Sequence, residues 1–234
     1  AKGPAVVERG SHPPLPESTD ILSLKDFARL IARTPTVPIL ITAFFGANFV
    51  AFVFISWMPT FLKEKFGLSL TLSGVGATLF IQVASMIGAI AGGFLADSWR
   101  KRLPGGRIAV QSVGAILGAP FIYLCGWTDN IQFLMFALTM FGLFKGLYDA
   151  NIWASLYDVV PASRRGTAVG MMNMIGWLGA GLGTILTGTL AKHEISMSQI
   201  ISSTAVIYLV VAALLLVAAF VFASADIRRA QQVS

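Results

Sequence analysis

The chain has 234 residues, of which 56% are hydrophobic and only 12% are charged, and its mean hydropathy is +0.76. A soluble domain of this size needs far more charge to cover its surface, so the composition excludes an ordinary water-soluble protein. The net charge of +6 comes from short basic runs between apolar segments, not from a basic face with interleaved aromatics, which argues against nucleic-acid binding. Cys125 is the only cysteine, so no intrachain disulfide can form.

The first 35 residues are predicted to form a cytoplasmic linker. Residues 1–20 are polar and rich in proline, begin with Ala1, contain no signal peptide and resemble an internal segment of a longer protein. Residues 23–33 are amphipathic and end before Pro35. This pattern predicts a short helix, either lying on the membrane surface or solvated as part of the linker.

Six apolar segments follow, each long enough to cross a hydrocarbon core of roughly 30 Å, which requires about 20 residues per helix. We therefore predict an all-α polytopic membrane protein with a transmembrane domain over 36–224 and a cytoplasmic tail over 225–234. The predicted spans are 36–62, 69–97, 107–127, 131–157, 166–191 and 197–224.

The positions of the basic residues predict the orientation. With both termini in the cytoplasm, all but four of the 17 Lys and Arg residues lie at or beyond the cytoplasmic ends of the spans. The exceptions are Lys63, Lys65 and Lys192 on the opposite side and Lys145 within a span. An odd number of spans would divide the basic ends between the two sides, so the asymmetry supports six. The predicted location is a bacterial inner (plasma) membrane.

Glycines predict close helix packing. Four pairs have the four-residue spacing that lets helix backbones approach, and the second and fifth segments are the most glycine-rich. A glycine-rich middle helix in each triplet fits a three-plus-three inverted repeat, although tight packing without moving parts also explains any single pair. The pairs are Gly88/Gly92, Gly114/Gly118, Gly142/Gly146 and Gly179/Gly183.

Two loop motifs carry a family resemblance. The run from Gly93 to Arg102 (GFLADSWRKR) and the run from Asp158 to Gly170 (DVVPASRRGTAVG) follow the second and fourth segments. The first resembles the loop signature of the major facilitator superfamily, with Ser98 and Arg100 in place of the usual arginine and glycine. The resemblance implies one half of a twelve-helix bundle, the carboxy-terminal one, whose partner is a missing amino-terminal six-helix half.

Two further runs narrow the resemblance within this superfamily. The run from Trp57 to Leu62 (WMPTFL) and the run from Gly146 to Asn151 (GLYDAN) are similar to the anion:cation symporter and sugar-phosphate permease branches. This likeness implies a small organic anion such as a sugar acid as substrate, together with a coupling ion, H+ or Na+.

A cytoplasmic gate is predicted at the ends of the second and fourth segments. A carboxylate at a helix end can bond to backbone amides and guanidinium groups of a neighbouring helix, and such pairs part when helices rock. The alternative is that the carboxylates only balance charge near the headgroups while the basic cluster sets topology. The candidate gating residues are Asp97, Lys101, Arg102, Asp158 and Arg165.

Polar residues within the spans are candidate substrate ligands, because each must be compensated in hydrocarbon. Lys145 lies near the middle of its span and Asp149 one turn beyond. An unpaired lysine there costs roughly 2.5–3.5 kcal/mol, so it either binds an anionic substrate or forms a self-neutralising pair with Asp149. The predicted substrate-binding residues are Lys145, Asp149, Asn48, Gln82, Asn151 and Asn173.

Enzyme chemistry finds no support in the sequence. His12 and His193 are too few and too separated for a metal site, and no phosphate-cradling glycine loop is present. No catalytic group or cofactor is predicted. The leading hypothesis is half of a secondary transporter that works by alternating access; a free-standing six-helix oligomeric channel or membrane scaffold is the alternative, and an intramembrane enzyme ranks third.

Overall fold

The computed structural model describes residues 24–233, and most of the predicted linker therefore lies outside the described residues. Every regular element in this range is helical. The α-helices are α1 Leu24–Arg33, α2 Thr36–Phe66, α3 Leu70–Arg100, α4 Gly106–Trp127, α5 Ile131–Asp149, α6 Ile152–Val159, α7 Arg165–Lys192, α8 Met197–Val217 and α9 Ala223–Val233. A 3-10 turn, Ala162–Arg164, precedes α7, and a π-helical turn, Ala218–Phe222, joins α8 to α9.

Six helical segments are long and apolar enough to cross a membrane. They confirm the predicted all-α fold with six transmembrane helices, in an integral membrane protein. The segments are Thr36–Phe66, Ser73–Arg100, Gly106–Trp127, Ile131–Val159, Ala162–Lys192 and Met197–Gln232. We call the end of the bundle that carries α1 and α9 the α1/α9 end, and the opposite end the far end.

The helix pairing has the symmetry of an inverted repeat. The middle helix of the first triplet, α3, packs along α5, the first helix of the second triplet. Reciprocally, α7 packs along α2, and the third helices α4 and α8 pack along each other. Because exchanging the triplets reproduces these three pairings, the bundle consists of two three-helix units related by an approximate two-fold axis.

Glycines bring the paired backbones together. On α3 and α5, a Cβ added to Gly88 would collide with the carbonyl oxygen of Leu143, and one added to Gly146 would collide with that of Ser85. On α7, a Cβ at Gly183 would lie 2.6 Å from the carbonyl oxygen of Phe49 in α2. Small residues at these positions therefore set the helix separation, as their spacing predicts.

The core lies between α2, α4, α5 and α8, where Phe141 contacts Phe54 with a tilted ring and Tyr208 edge to face. Ring centroids are 4.6 Å apart for Phe54 and Phe141 and 5.7 Å apart for Phe141 and Tyr208. By contrast, α3 and α7 leave apolar side chains exposed, including Ile90 and Ile185, each 65% exposed. These two helices therefore offer apolar faces to lipid or to another helical bundle.

The two termini of the described chain are joined at the α1/α9 end. Asp226 of α9 is 1% exposed and accepts a hydrogen bond from Thr36 N, at the start of α2, at 3.0 Å. Arg229 donates to the carbonyl oxygen of Arg33 at 3.0 Å. Since α2 begins after a proline and has no side-chain cap from its own sequence, Asp226 supplies the missing acceptor. Most of the segment predicted as a tail is thus helical and attached to the bundle.

Candidate functional site

A small cavity in the middle of the bundle collects three of the predicted ligand residues. Lys145 and Asp149 of α5 meet Asn48 of α2 there, and Tyr208 of α8 closes the back. Its volume is about 60 Å³. Such a space admits water, but it is much smaller than the roughly 300–1,000 Å³ typical of ligand pockets.

Lys145 and Asp149 form an ion pair within one turn of α5. The ammonium donates to Asp149 Oδ2, and the two side chains are 16% and 35% exposed. Both charges therefore face the cavity as a neutralised pair. The contact agrees with the structural interpretation of Lys145 and is equally compatible with a ligand that displaces the carboxylate.

The helix backbone is interrupted directly after this pair. We expected one helix over 131–157, but α5 ends at Asp149 and α6 begins at Ile152. Asn151 N bonds to Tyr148 O at 3.2 Å, a tighter turn than an α-helix makes. Interrupted helices occur beside the binding sites of transporters, and this break directly follows Asp149, which lines the cavity.

Asn151 holds the break in place through buried hydrogen bonds to neighbouring helices. It is 2% exposed, and its Nδ2 donates to the carbonyl oxygens of Gly92 on α3 and Leu147 on α5, both at 3.2 Å. Its own carbonyl oxygen accepts from Gln111 of α4 at 2.9 Å. Both amide protons of Asn151 are therefore used in joining three helices, and its contact with substrate stays a prediction.

Asn48 remains beside the cavity, whereas Gln82 and Asn173 lie elsewhere. Asn48 Nδ2 donates to Phe44 O of its own helix at 2.8 Å, which orients the side chain. Gln82 is exposed on α3 in a recess next to Phe54, and Asn173 is exposed on α7. The structure thus brings together Lys145, Asp149 and Asn48 but not the other two.

At the α1/α9 end, two of the predicted gating carboxylates share one arginine. Arg107, at the start of α4, contacts Asp97 of α3 at 3.3 Å and Asp158 of α6 at 3.4 Å. Arg100 contacts Asp158 at 3.0 Å. From the sequence, Arg107 and Arg100 contribute only to the predicted membrane orientation, because spacing along the chain does not reveal that their helices converge. We call these four residues the charge network.

Asp158, not Asp97, is the enclosed member of the charge network, with side-chain exposures of 11% and 68% respectively. Exposed pairs are worth about 0.2–1 kcal/mol, so the contact of Asp97 contributes little by itself. Asp158 is bonded to two arginines in a less hydrated position, where removing one partner has a larger effect.

Of the other three predicted gating residues, Lys101 and Arg102 stand outside the charge network, whereas Arg165 is close enough to Asp158 for its charge to act on that carboxylate. Lys101 and Arg102 are exposed in the turn after α3, and among the described residues the ion pairs of this region involve Arg100 and Arg107 in their place. Arg165 donates to Tyr157 O at 2.9 Å and to Val160 O at 3.3 Å. It therefore caps the carbonyl groups at the end of α6.

Known proteins with similar sequences are transport proteins. The profile of the Major Facilitator Superfamily matches residues 84–232. The chain is 26% identical to the sodium-dependent phosphate transport protein 1, chloroplastic, of Arabidopsis thaliana, covering 78% of this chain and 36% of that protein. It is 28% identical to the hexuronate transporter of Bacillus subtilis, covering 62% and 36%. It is also 27% identical to a probable galactarate/D-glucarate transporter of Escherichia coli, covering 78% and 39%.

The structural match also covers most of this chain but only about half of its relative. A solved structure of a bacterial homolog to the human lysosomal transporter Spinster, inward-facing and unoccupied, superposes with a TM-score of 0.63 at 17% identity. The match covers 90% of this chain and 51% of that one. The chain thus spans half of that structure and well under half the length of these curated relatives. Since the superfamily profile covers more than half of its residues, the chain belongs to the Major Facilitator Superfamily.

Proposed function

We propose that this chain is the carboxy-terminal half of a secondary transporter that moves a small organic anion, such as a sugar acid, by alternating access. The observation that carries the proposal is the Lys145–Asp149 pair facing a water-sized cavity at a helix break. A cation held in mid-membrane beside irregular backbone suits an anionic ligand. The printed substrates of two relatives, hexuronate and galactarate/D-glucarate, are sugar acids.

The pair supports a direct exchange of partners. The ammonium of Lys145 is only slightly exposed, so it requires a carboxylate at all times. A substrate carboxylate and Asp149 compete for it, and a coupling ion, H+ or Na+, that neutralises Asp149 would release the ammonium to the substrate.

The small volume of the cavity supports a two-half arrangement. A sugar acid does not fit in about 60 Å³, so a second wall must enlarge the site. The exposed apolar faces of α3 and α7 offer a surface for a second six-helix bundle. The missing amino-terminal half would supply that wall, and Gln82 and Asn173 would face it.

The charge network is the proposed cytoplasmic lock. It links the end of α3, the start of α4 and the end of α6, so rocking of these helices must break or re-form its contacts. With the α1/α9 end in the cytoplasm, as the basic residues predict, these pairs hold one orientation of the bundle.

The test is substitution of Lys145 by methionine in the complete transporter. Lys145→Met should insert and fold, because a costly charge is removed, and should weaken binding of a sugar acid at least about tenfold. Lys192→Met, an exposed lysine at the end of α7, is the matched control and should bind normally. Binding and counterflow uptake are measured in proteoliposomes.

A double variant separates the two roles of the lysine. Lys145→Met with Asp149→Leu removes both charges, so a purely structural pair predicts recovery of both stability and uptake. Normal stability of both the single and the double variant, with no uptake by either, is the result expected here. Full uptake by the double variant would eliminate Lys145 as a substrate ligand. Saturable uptake or ion conductance by the chain alone would indicate a homo-oligomeric carrier or channel.

A further inference from the structure

A larger cavity, of about 880 Å³, runs along the surface between α4 and α8 and reaches the far end of the bundle. We call it the α4–α8 groove. Short side chains in both walls, Ala119 and Ala205 among them, create the gap between the helices. Its walls are formed chiefly by Pro120, Tyr123 and Leu124 of α4 and by Ala205, Val206 and Leu209 of α8.

The groove is separate from the Lys145 cavity. Among the described residues, no side chain lines both spaces. On α8, Tyr208 points into the bundle and is 1% exposed, whereas Val206 and Leu209 are 61% and 50% exposed. The groove therefore opens on the apolar outer surface of α8 and not towards the proposed transport site.

The length of the groove matches one membrane leaflet. Along α8 it extends from Ser198 to Leu209, and a helix rises 1.5 Å per residue, so it is about 16 Å long. Half of a hydrocarbon core of roughly 30 Å is about 15 Å. Trp127, which is 65% exposed, stands at the far end, the position that interfacial tryptophans prefer.

Only the far end of the groove carries charge. Lys65, at the end of α2, is held there by Gly126 O at 3.2 Å and Ser198 Oγ at 3.3 Å. Its ammonium is 2.9 Å from Asp129 Oδ1. The lysine side chain is 18% exposed and the aspartate 90%, so a fixed cation stands beside a carboxylate that is free to turn.

We propose that the α4–α8 groove binds one phospholipid whose headgroup is zwitterionic and ends in a primary amine, a phosphatidylethanolamine. An acyl chain lies along the apolar walls. The lipid phosphate accepts a hydrogen bond from Lys65, and the headgroup ammonium replaces Lys65 as the partner of Asp129. A net-anionic headgroup satisfies Lys65 but leaves Asp129 facing a like charge, which disfavours it. The charged far end of the groove therefore faces the lipid headgroup, and the apolar walls face the acyl chain.

The experiment compares two lipids with identical acyl chains on the purified, delipidated full chain. Phosphatidylethanolamine and phosphatidylglycerol are titrated separately, and bound lipid is counted by native mass spectrometry. The wild-type chain should bind phosphatidylethanolamine about tenfold more tightly, the scale of one charge-assisted hydrogen bond. Equal binding of the two lipids would overturn the proposal.

Headgroup variants test the charged end. Lys65→Gln should weaken binding of both lipids about tenfold, since both present a phosphate. Asp129→Asn should weaken phosphatidylethanolamine and improve phosphatidylglycerol, so that the preference disappears. Retention of the preference in Asp129→Asn would contradict the assignment of the ammonium.

A matched pair of tryptophan variants tests the apolar walls. Val206→Trp fills the groove and should abolish selective binding, whereas Val217→Trp, also exposed on α8 but outside the groove, should not. Unchanged binding in Val206→Trp would refute the site. A dimer that Val206→Trp disrupts while lipid binding persists would assign the groove to a second copy and refute the lipid as occupant. If Val206→Trp fails to fold, the headgroup variants decide the outcome.

Discussion

Two glycines on α7 allow a quantitative test of the helix pairing. Gly183 faces α2, and its added Cβ would lie 2.6 Å from Phe49 O and 3.2 Å from Phe49 Cα. Gly181, two residues earlier, has nothing within 4 Å of its added Cβ. Both positions lie at nearly the same depth in the same helix, so alanine at each differs mainly in what the methyl group meets.

Gly183→Ala should destabilise the bundle and Gly181→Ala should not. The contacts at Gly183 are backbone atoms, which can yield only if α2 and α7 separate, and such overpacking costs about 1–3 kcal/mol. At Gly181 the alanine meets open space and gains helix propensity of up to about 1 kcal/mol. The gain in helix propensity is common to both variants, so the expected difference between them is the overpacking cost, about 1–3 kcal/mol.

The assay is unfolding of the purified protein in mixed micelles with increasing dodecyl sulfate, followed by circular dichroism and tryptophan fluorescence. Trp177 of α7 stacks edge-on against Phe52 of α2 at 5.2 Å, so the fluorescence includes a reporter at the tested interface. Equal midpoints for the two variants, or a more stable Gly183→Ala, would refute the packing argument.

Three other predictions concern topology and transport. In a Cys125→Ala background, Glu194→Cys at the far end should react with an impermeant thiol reagent from outside and Lys101→Cys should not; the reverse labelling would overturn the orientation. Asp158→Asn should slow turnover of the complete transporter more than Asp97→Asn, because Asp158 is the more enclosed carboxylate and contacts two arginines; equal rates in an exchange assay would deny it a special role. The isolated chain should not catalyse solute uptake in proteoliposomes, and co-expression with the proposed amino-terminal half should enable it; saturable uptake by the chain alone would contradict a two-half mechanism.

The candidate site shows where prediction from sequence stops. Lys145 and Asp149 could be paired from spacing alone, because residues four apart in a helix are neighbours. Asn48 could be placed at the same depth, since depth follows from position along a span. Asn48 faces the Lys145 cavity and Gln82 does not, and this difference depends on how α2 and α3 are turned about their axes. Hydropathy is nearly uniform around these helices, so no local signal specifies that rotation.

The charge network shows the same limit at the end of the bundle. Asp97 and Asp158 were recognised from their loop motifs, but Arg107 was not, because it lies outside both motifs and the sequence does not distinguish it from the other basic residues of that loop. Only the packing of α4 beside α3 and α6 distinguishes Arg107 from its neighbours. The break after Asp149 was missed for a related reason: Asn151 stabilises it through bonds that reach α3 and α4.

The sequence by itself determined the membrane class, the six apolar segments and the close-packing glycines. These properties depend on local length, composition and spacing, because hydrophobic length determines which segments cross the bilayer and small-residue spacing determines where helices can approach. The tertiary structure alone decided which polar groups come together. Lys145, Asn48 and Tyr208 line one cavity, Arg107 pairs with two carboxylates, and Lys65 pairs with Asp129 at the far end of the α4–α8 groove. Those meetings depend on helix pairing and rotation, because contacts between residues distant in sequence are specified only when all the helices pack together.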